Sequence, residues 1–266
     1  MRTAPTHIVL VHGLWMTPRS WEHWIAHFRA KGYHVLAPAW PGLDVEVEAL
    51  NDDPSPIAGL GIAHIVDSYA AIIHGLDSAP IIIGHSFGGA FTQMLLDRGL
   101  GAVGVAINSA PVKGIQTLPL DTLRAAFPVL KNPANRRRAV PLTLEQFHWR
   151  FTNHTTLEAT RPLYQRYYVP GSGRVLFEQA FANVSPSAPS KVDFHKADRA
   201  PLLFIAGGID HIAPSKLNRI NAHKYHKSPA VTDFREFPQR SHWTVGQDGW
   251  EEVADYALDW AVRNGC

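Results

Sequence analysis

Three side chains of this sequence, Ser86, His242 and Asp210, are of the types that make a working hydroxyl nucleophile. A serine hydroxyl attacks poorly at neutral pH; it needs an imidazole to take its proton and a third group to orient that imidazole. Ser86 lies in Gly84-His85-Ser86-Phe87-Gly88-Gly89, directly after Ile81-Ile82-Ile83 and before a helix-compatible stretch, Ala90 to Arg98. A buried strand, then Gly-x-Ser-x-Gly, then a helix is the pattern of a nucleophile elbow, a sharp turn that exposes the serine hydroxyl. Glycines two positions either side omit the β-carbons that such a turn would drive together. A surface Gly/Ser loop does not predict the isoleucine run in front of it.

The partners follow later strands. Leu202 to Ala206 runs into Gly207-Gly208-Ile209-Asp210, and Val231 to Phe237 runs into Pro238-Gln239-Arg240-Ser241-His242-Trp243. In open α/β sheets, functional groups collect on loops leaving the carboxyl ends of strands. Each residue also has an ordinary use: Asp210 as a turn or N-cap residue, His242 as one of 15 histidines. Their placement after successive strands, in the order Ser, acid, His, favours the catalytic reading. Asp233, inside a strand, and Asp248, beyond the histidine loop, are poorer acids. His211 neighbours the acid and receives no role. His223 and His226 share a helix face without a carboxylate or Cys cluster, which argues against a metal site.

The developing oxyanion needs donors. In an elbow one is the N–H of the residue after the nucleophile, here Phe87. The loop after the first strand, His12-Gly13-Leu14, offers the N–H of Leu14, with Gly13 leaving room for close approach. Trp15 and Trp243, each next to a site residue, are expected to wall the pocket.

These groups have to be carried by a sheet. Ile8 to Val11, Tyr33 to Ala37, the elbow strand and Ala102 to Ile107 alternate with helical spacing over Pro18 to Lys31 and about Ile62 to Leu76, with an acidic loop at Asp44 to Pro56. Alternation predicts a doubly wound, mostly parallel α/β sheet with helices on both faces. About ninety residues then separate two core strands, too many for a loop. They hold helix-compatible pieces at Leu120 to Leu130, Leu144 to Phe151, Leu157 to Tyr168 and Arg174 to Ala182. We therefore expect a core of residues 1–112 and 196–266, with residues 113–195 a helical cap inserted between two core strands. The last helix spans Trp250 to Val262. Most cap aromatics, among them Phe147, Phe151 and Tyr164, are expected to form the cap's own core, and some to face the cleft.

Composition sets the outer bounds. With 266 residues the chain can bury one large core. A net charge of +2 is too small to argue for nucleic acid or an anionic membrane, and no apolar run reaches membrane length. The start shows no signal peptide. The lone Cys266 can close no internal disulfide, so a reduced, cytoplasmic setting is the default. The expected partner is a small-molecule substrate, with no cofactor and no metal; a homodimer is left open.

Taken together, His12-Gly13, Gly84-His85-Ser86-Phe87-Gly88-Gly89, Gly207-Gly208-Ile209-Asp210 and Ser241-His242 resemble the α/β-hydrolase superfamily. The short N-terminus and the cap position resemble its small cap-bearing esterases, a group with plant methyl esterases and hydroxynitrile lyases. The resemblance implies Ser86 as nucleophile, His242 as base, Asp210 as orienter and a covalent acyl-enzyme opened by water. Epoxide hydrolases and haloalkane dehalogenases carry Asp where this chain has Ser86. The lyases carry Lys after the histidine, where Trp243 stands. Cofactor-free dioxygenases usually carry His after the elbow serine, where Phe87 stands. The expected activity is therefore hydrolysis of a carboxylic ester or lactone of a small, largely apolar substrate. Carbon–carbon hydrolysis, a lyase or cofactor-free oxygenase reaction, and a non-catalytic small-ligand receptor are the alternatives.

Overall fold

The computed structural model describes residues 5–116 and 119–265; Met1 to Ala4 and Cys266, which bear on the leader and disulfide expectations, lie outside them. β1 (His7–Val11) leads through a 3-10 turn at Pro18–Trp21 into α1 (Glu22–Ala30) and β2 (His34–Leu36). Next come α2 (Val47–Asp52), α3 (Ile62–His74), β3 (Ile81–His85), α4 (Phe87–Asp97) and β4 (Val103–Ile107). The long interval holds α5 (Leu120–Leu130), β5 (Ala139–Val140), α6 (Leu144–Phe151), α7 (Leu157–Tyr167), β6 (Gly171–Ser172) and α8 (Gly173–Ala180). β7 (Leu202–Gly207), α9 (Ser215–Lys224), β8 (Thr232–Phe237) and α10 (Trp250–Asn264) complete the chain.

Six strands form one sheet in the order β2-β1-β3-β4-β7-β8, and every pairing in it is parallel. The chain moves outward from β1 to β2, then crosses back to lay β3 on the other side of β1. That reversal opens a crevice at the strands' carboxyl ends, where such sheets bind ligands. β3 and β4 are buried throughout, as continuous apolar runs in a sheet covered on both faces should be. The edge strand β8 alternates partly buried and exposed residues.

α4 is the central support: ten consecutive residues, Phe87 to Leu96, are buried. It comes so close to the sheet that a β-carbon at Gly88 would stand 2.0 Å from the Val11 carbonyl oxygen, and one at Gly84 would stand 2.0 Å from the Gly88 oxygen. Sequence reading begins this helix at Ala90, but it begins at Phe87. The whole reversal is taken up by Ser86, so no loop intervenes. The acidic stretch read as a loop contains α2, whose Val47 and Leu50 are buried.

Candidate active site

Ser86 caps β3 with φ 58° and ψ −120°, a conformation that L-residues adopt only under constraint. The constraint is visible: Ser86 N donates to Ile107 O at 2.9 Å, and Ser86 O accepts from Ala110 N at 2.9 Å and Gly89 N at 3.0 Å. Backbone from both β4 and α4 thus holds the turn.

After β7 the chain turns at Asp210, whose two oxygens are used differently. Oδ1 accepts from Ile212 N at 2.7 Å and Ala213 N at 3.0 Å, the local bonding that makes Asp a turn former. Oδ2 accepts from His242 Nδ1 at 2.7 Å. His242 Nε2 in turn lies 2.9 Å from Ser86 Oγ. An ionised carboxylate can only accept, so the proton of a neutral imidazole sits on Nδ1 and Nε2 is free to receive one from Ser86. The side chains of His242 and Asp210 are wholly excluded from solvent. The three residues are thus in contact, in the order hydroxyl, imidazole, carboxylate.

Two buried residues that the sequence reading gave no role hold this relay. Asn108, at the end of β4 with φ 45°, donates to Ser241 O at 3.0 Å and to Thr244 Oγ1 at 3.1 Å. Its Oδ1 accepts from Gly207 N at 2.6 Å, so one side chain ties the acid loop to the histidine loop. His85 donates from Nε2 to His242 O at 2.8 Å. Burial, then the neighbouring His242 imidazole, drive the His85 pKa well below its usual value and keep this donor ring neutral.

The loop after β1 closes the other side of Ser86. A β-carbon on Gly13 would stand 2.7 Å from Ser86 Cβ, so this backbone packs directly on the nucleophile. His12 is buried beneath it, with Nδ1 at 3.0 Å from Gly13 O and Nε2 accepting from Trp40 N at 3.3 Å. Burial lowers the His12 pKa to about 4, which keeps it uncharged. The N–H groups of Leu14 and Phe87 find no acceptor among the described residues. Two free donors beside a hydroxyl are what a developing oxyanion requires.

A cavity of about 310 Å³ opens beside Ser86 and Phe87. Its wall includes Trp15, as the sequence suggested, together with side chains of α5 and α8. Trp243 needs correction: it does not line the cavity. Its main-chain N–H donates to Phe151 O at 2.9 Å, and its buried ring lies 4.8 Å from that of Tyr167. The aromatics of the inserted segment also stay off the wall. Phe147 stacks on Phe151 at 4.7 Å and Tyr164 on Tyr168 at 4.4 Å, so the segment meets the cavity with aliphatic residues such as Leu123, Leu130 and Leu176. Phe151 reaches the site differently, with its ring centroid 5.1 Å from that of His242 and the two rings set edge to face.

His211 does not enter the cavity; it bonds Trp149 O at 3.0 Å and packs on the Trp149 ring. His223 and His226 stack on each other at 4.6 Å, and no cluster of three metal-ligating side chains occurs among the described residues. No helix among them is long and apolar enough to cross a membrane.

Similar folds are known. Polyneuridine aldehyde esterase superposes with a TM-score of 0.64 at 16% identity, over 97% of this chain and 99% of that one. An extracellular alpha/beta-hydrolase from a Paenibacillus species, described as sharing structural and functional homology with tobacco salicylic acid binding protein 2, gives 0.68 at 19%, over 96% and 98%. A thermophilic esterase from Thermogutta terrifontis, with malate bound, gives 0.69 at 17%, over 99% and 92%. No curated protein sequence matches the chain. The sequence model of the alpha/beta hydrolase family matches residues 8–256, nearly the whole length and every strand of the parallel sheet. This chain belongs to the alpha/beta hydrolase family.

Proposed function

We propose that the protein hydrolyses a carboxylic ester of a small, largely apolar substrate through an acyl-enzyme. The observation that carries this reading is the buried relay from Ser86 Oγ through His242 to Asp210, with two unpartnered N–H groups at its head. The esterases among the similar folds support the choice of bond.

Ser86 Oγ attacks the acyl carbon while its proton passes to His242 Nε2. The carbonyl electron pair moves onto oxygen, which the Leu14 and Phe87 N–H groups receive; losing one such donor typically costs on the order of a hundredfold to a thousandfold in rate. Collapse breaks the acyl–oxygen bond, and the alcohol leaves with the proton from Nε2. Water then gives a proton to the same nitrogen and attacks the acyl carbon; collapse of this second adduct breaks the bond to Ser86 Oγ, which takes the proton back from Nε2, and the acid leaves. Asp210 stays ionised and steadies the imidazolium. We read residues 113–195 as a cap whose α5 and α8 shape the substrate's space.

Labelling with an aryl organophosphonate tests the reading. The wild type should take up one adduct on Ser86 and lose hydrolysis of a simple aryl ester in proportion. Ser86→Ala should stay unlabelled and lose at least about 10⁴-fold in kcat. An unlabelled wild type, or an active Ser86→Ala protein, refutes it. Product analysis separates ester hydrolysis from cleavage of a carbon skeleton.

A further inference from the structure

The cavity beside Ser86 is small, at the lower end of the roughly 300–1,000 Å³ usual for small-molecule sites. Most of its wall is hydrocarbon. Besides the indole of Trp15, whose unpartnered Nε1 lies against Gly171, four polar side chains line it: Ser86, Thr122, Asn183 and Gln179. Three of them are committed. Ser86 bonds His242. The Thr122 hydroxyl donates to Ile212 O at 2.9 Å. Asn183 uses both ends, accepting from Gly114 N at 2.7 Å and donating to Ile115 O at 2.8 Å.

Gln179, on α8, is the exception. Its Oε1 is sealed from solvent without a donor, and neither amide atom has a partner among the described residues. An enclosed amide oxygen left unpaired is costly, and native proteins rarely keep one without a use. The wall it shares is otherwise largely aliphatic, with Leu123, Leu130 and Leu176 among its residues.

We propose that Gln179 is a specificity-determining residue that receives a hydroxyl carried by the portion of the ester occupying this cavity. As the side chain stands, a hydroxyl in the cavity accepts from the amide nitrogen, which is not sealed; a half-turn of the amide exchanges its two ends and lets the hydroxyl donate to Oε1 instead. The substrate class is then a hydroxylated aliphatic ester, apolar along the α5 and α8 wall and polar at one point. This inference rests on the ester-hydrolase reading above. Selection of this kind is strong in enzymes, because an analogue without the hydroxyl leaves the protein's polar group buried and unpaired.

The test compares kcat/KM for matched pairs. On the acyl side, p-nitrophenyl butanoate and hexanoate are set against their 3-hydroxy and 6-hydroxy counterparts. On the alcohol side, butyl acetate is set against the monoacetate of butane-1,4-diol. At least one hydroxylated member should be favoured by about tenfold or more over its parent. Gln179→Leu and the isosteric Gln179→Met should cut that preference to within about twofold.

A binding measurement needs no turnover. Calorimetry on Ser86→Ala should find the same hydroxy acids or diol bound more tightly than their parents, and Gln179→Leu in that background should remove the difference. Turnover of the plain esters with no preference in either assay overturns the role of Gln179 alone, as does a preference that survives Gln179→Leu. Gln179-dependent binding without turnover of any ester overturns the hydrolase reading and keeps the role of Gln179.

Discussion

Asp210→Asn tests the relay with the smallest change, exchanging one oxygen for an NH₂ group. The structure dictates how the introduced amide must sit. At the Oδ1 position, Ile212 N and Ala213 N donate from 2.7 and 3.0 Å. An NH₂ placed there would leave two buried N–H groups without acceptors, at about 1–3 kcal/mol each. The amide oxygen therefore stays with the backbone, and NH₂ turns toward His242 Nδ1. Because NH₂ donates, Nδ1 has to accept, and the imidazole proton moves to Nε2. It then points at Ser86 Oγ, 2.9 Å away, and the ring can no longer take the serine's proton. We expect kcat/KM to fall about 10³- to 10⁴-fold, or about 4–5.5 kcal/mol of transition-state stabilisation. The turn keeps its backbone bonds, so the cost in stability should be only about 1–2 kcal/mol, from the lost charge-assisted bond. Steady-state hydrolysis of an aryl ester, alongside urea unfolding of the same samples, reads both quantities. A folded variant within about tenfold of wild type would refute the tautomer argument.

Two further outcomes concern the frame around the relay. His12 is neutral when folded, with its pKa lowered from 6.5 to about 4 by burial, and His85 is shifted the same way. The unfolded chain binds these protons first, so the stabilisation is complete above pH 6.5 and is lost as pH falls toward 4. His12 alone should cost about 2 kcal/mol between pH 7 and pH 5. Urea unfolding that shows equal stability at the two pH values would contradict this. Asn108→Ala strands Gly207 N and Ser241 O, and should lower unfolding stability by about 2–4 kcal/mol. A change below about 0.5 kcal/mol in denaturant titration would show that the two loops hold their places without it.

How far the sequence speaks depends on how local each signal is. Ser86 and Asp210 are legible because each stands a few residues after an apolar run, His242 because it follows an alternating edge strand, and parallel strands bring their ends to one edge. The N–H groups of Leu14 and Phe87 follow from the same logic, since backbone position needs no side-chain identity. Trp243 misleads because adjacency to His242 says nothing about which way the next side chain turns, and the turn directs its indole toward Tyr167. Asn108 is visible in the sequence only as the residue after a strand; its function exists only once the loops after β7 and β8 converge on it. Gln179 is harder still. An amide on a short amphipathic helix reads as a surface residue until neighbouring helices enclose its oxygen. α2 escapes notice because six residues with two buried apolar contacts leave too little periodicity to register.

Reaction and recognition are housed on separate parts of the chain. Every member of the hydroxyl–imidazole–carboxylate set leaves the end of a parallel strand, while much of the cavity wall belongs to two helices outside the sheet. The turn between β3 and α4 tolerates almost nothing, since a methyl group at Gly84 or Gly88 would collide with main chain. The two helices carry one such restriction, at Gly173 where α8 begins, and that residue is not part of the cavity wall. A lineage can therefore trade one substrate for another by editing a few side chains of α5 and α8, with its chemical step inherited intact.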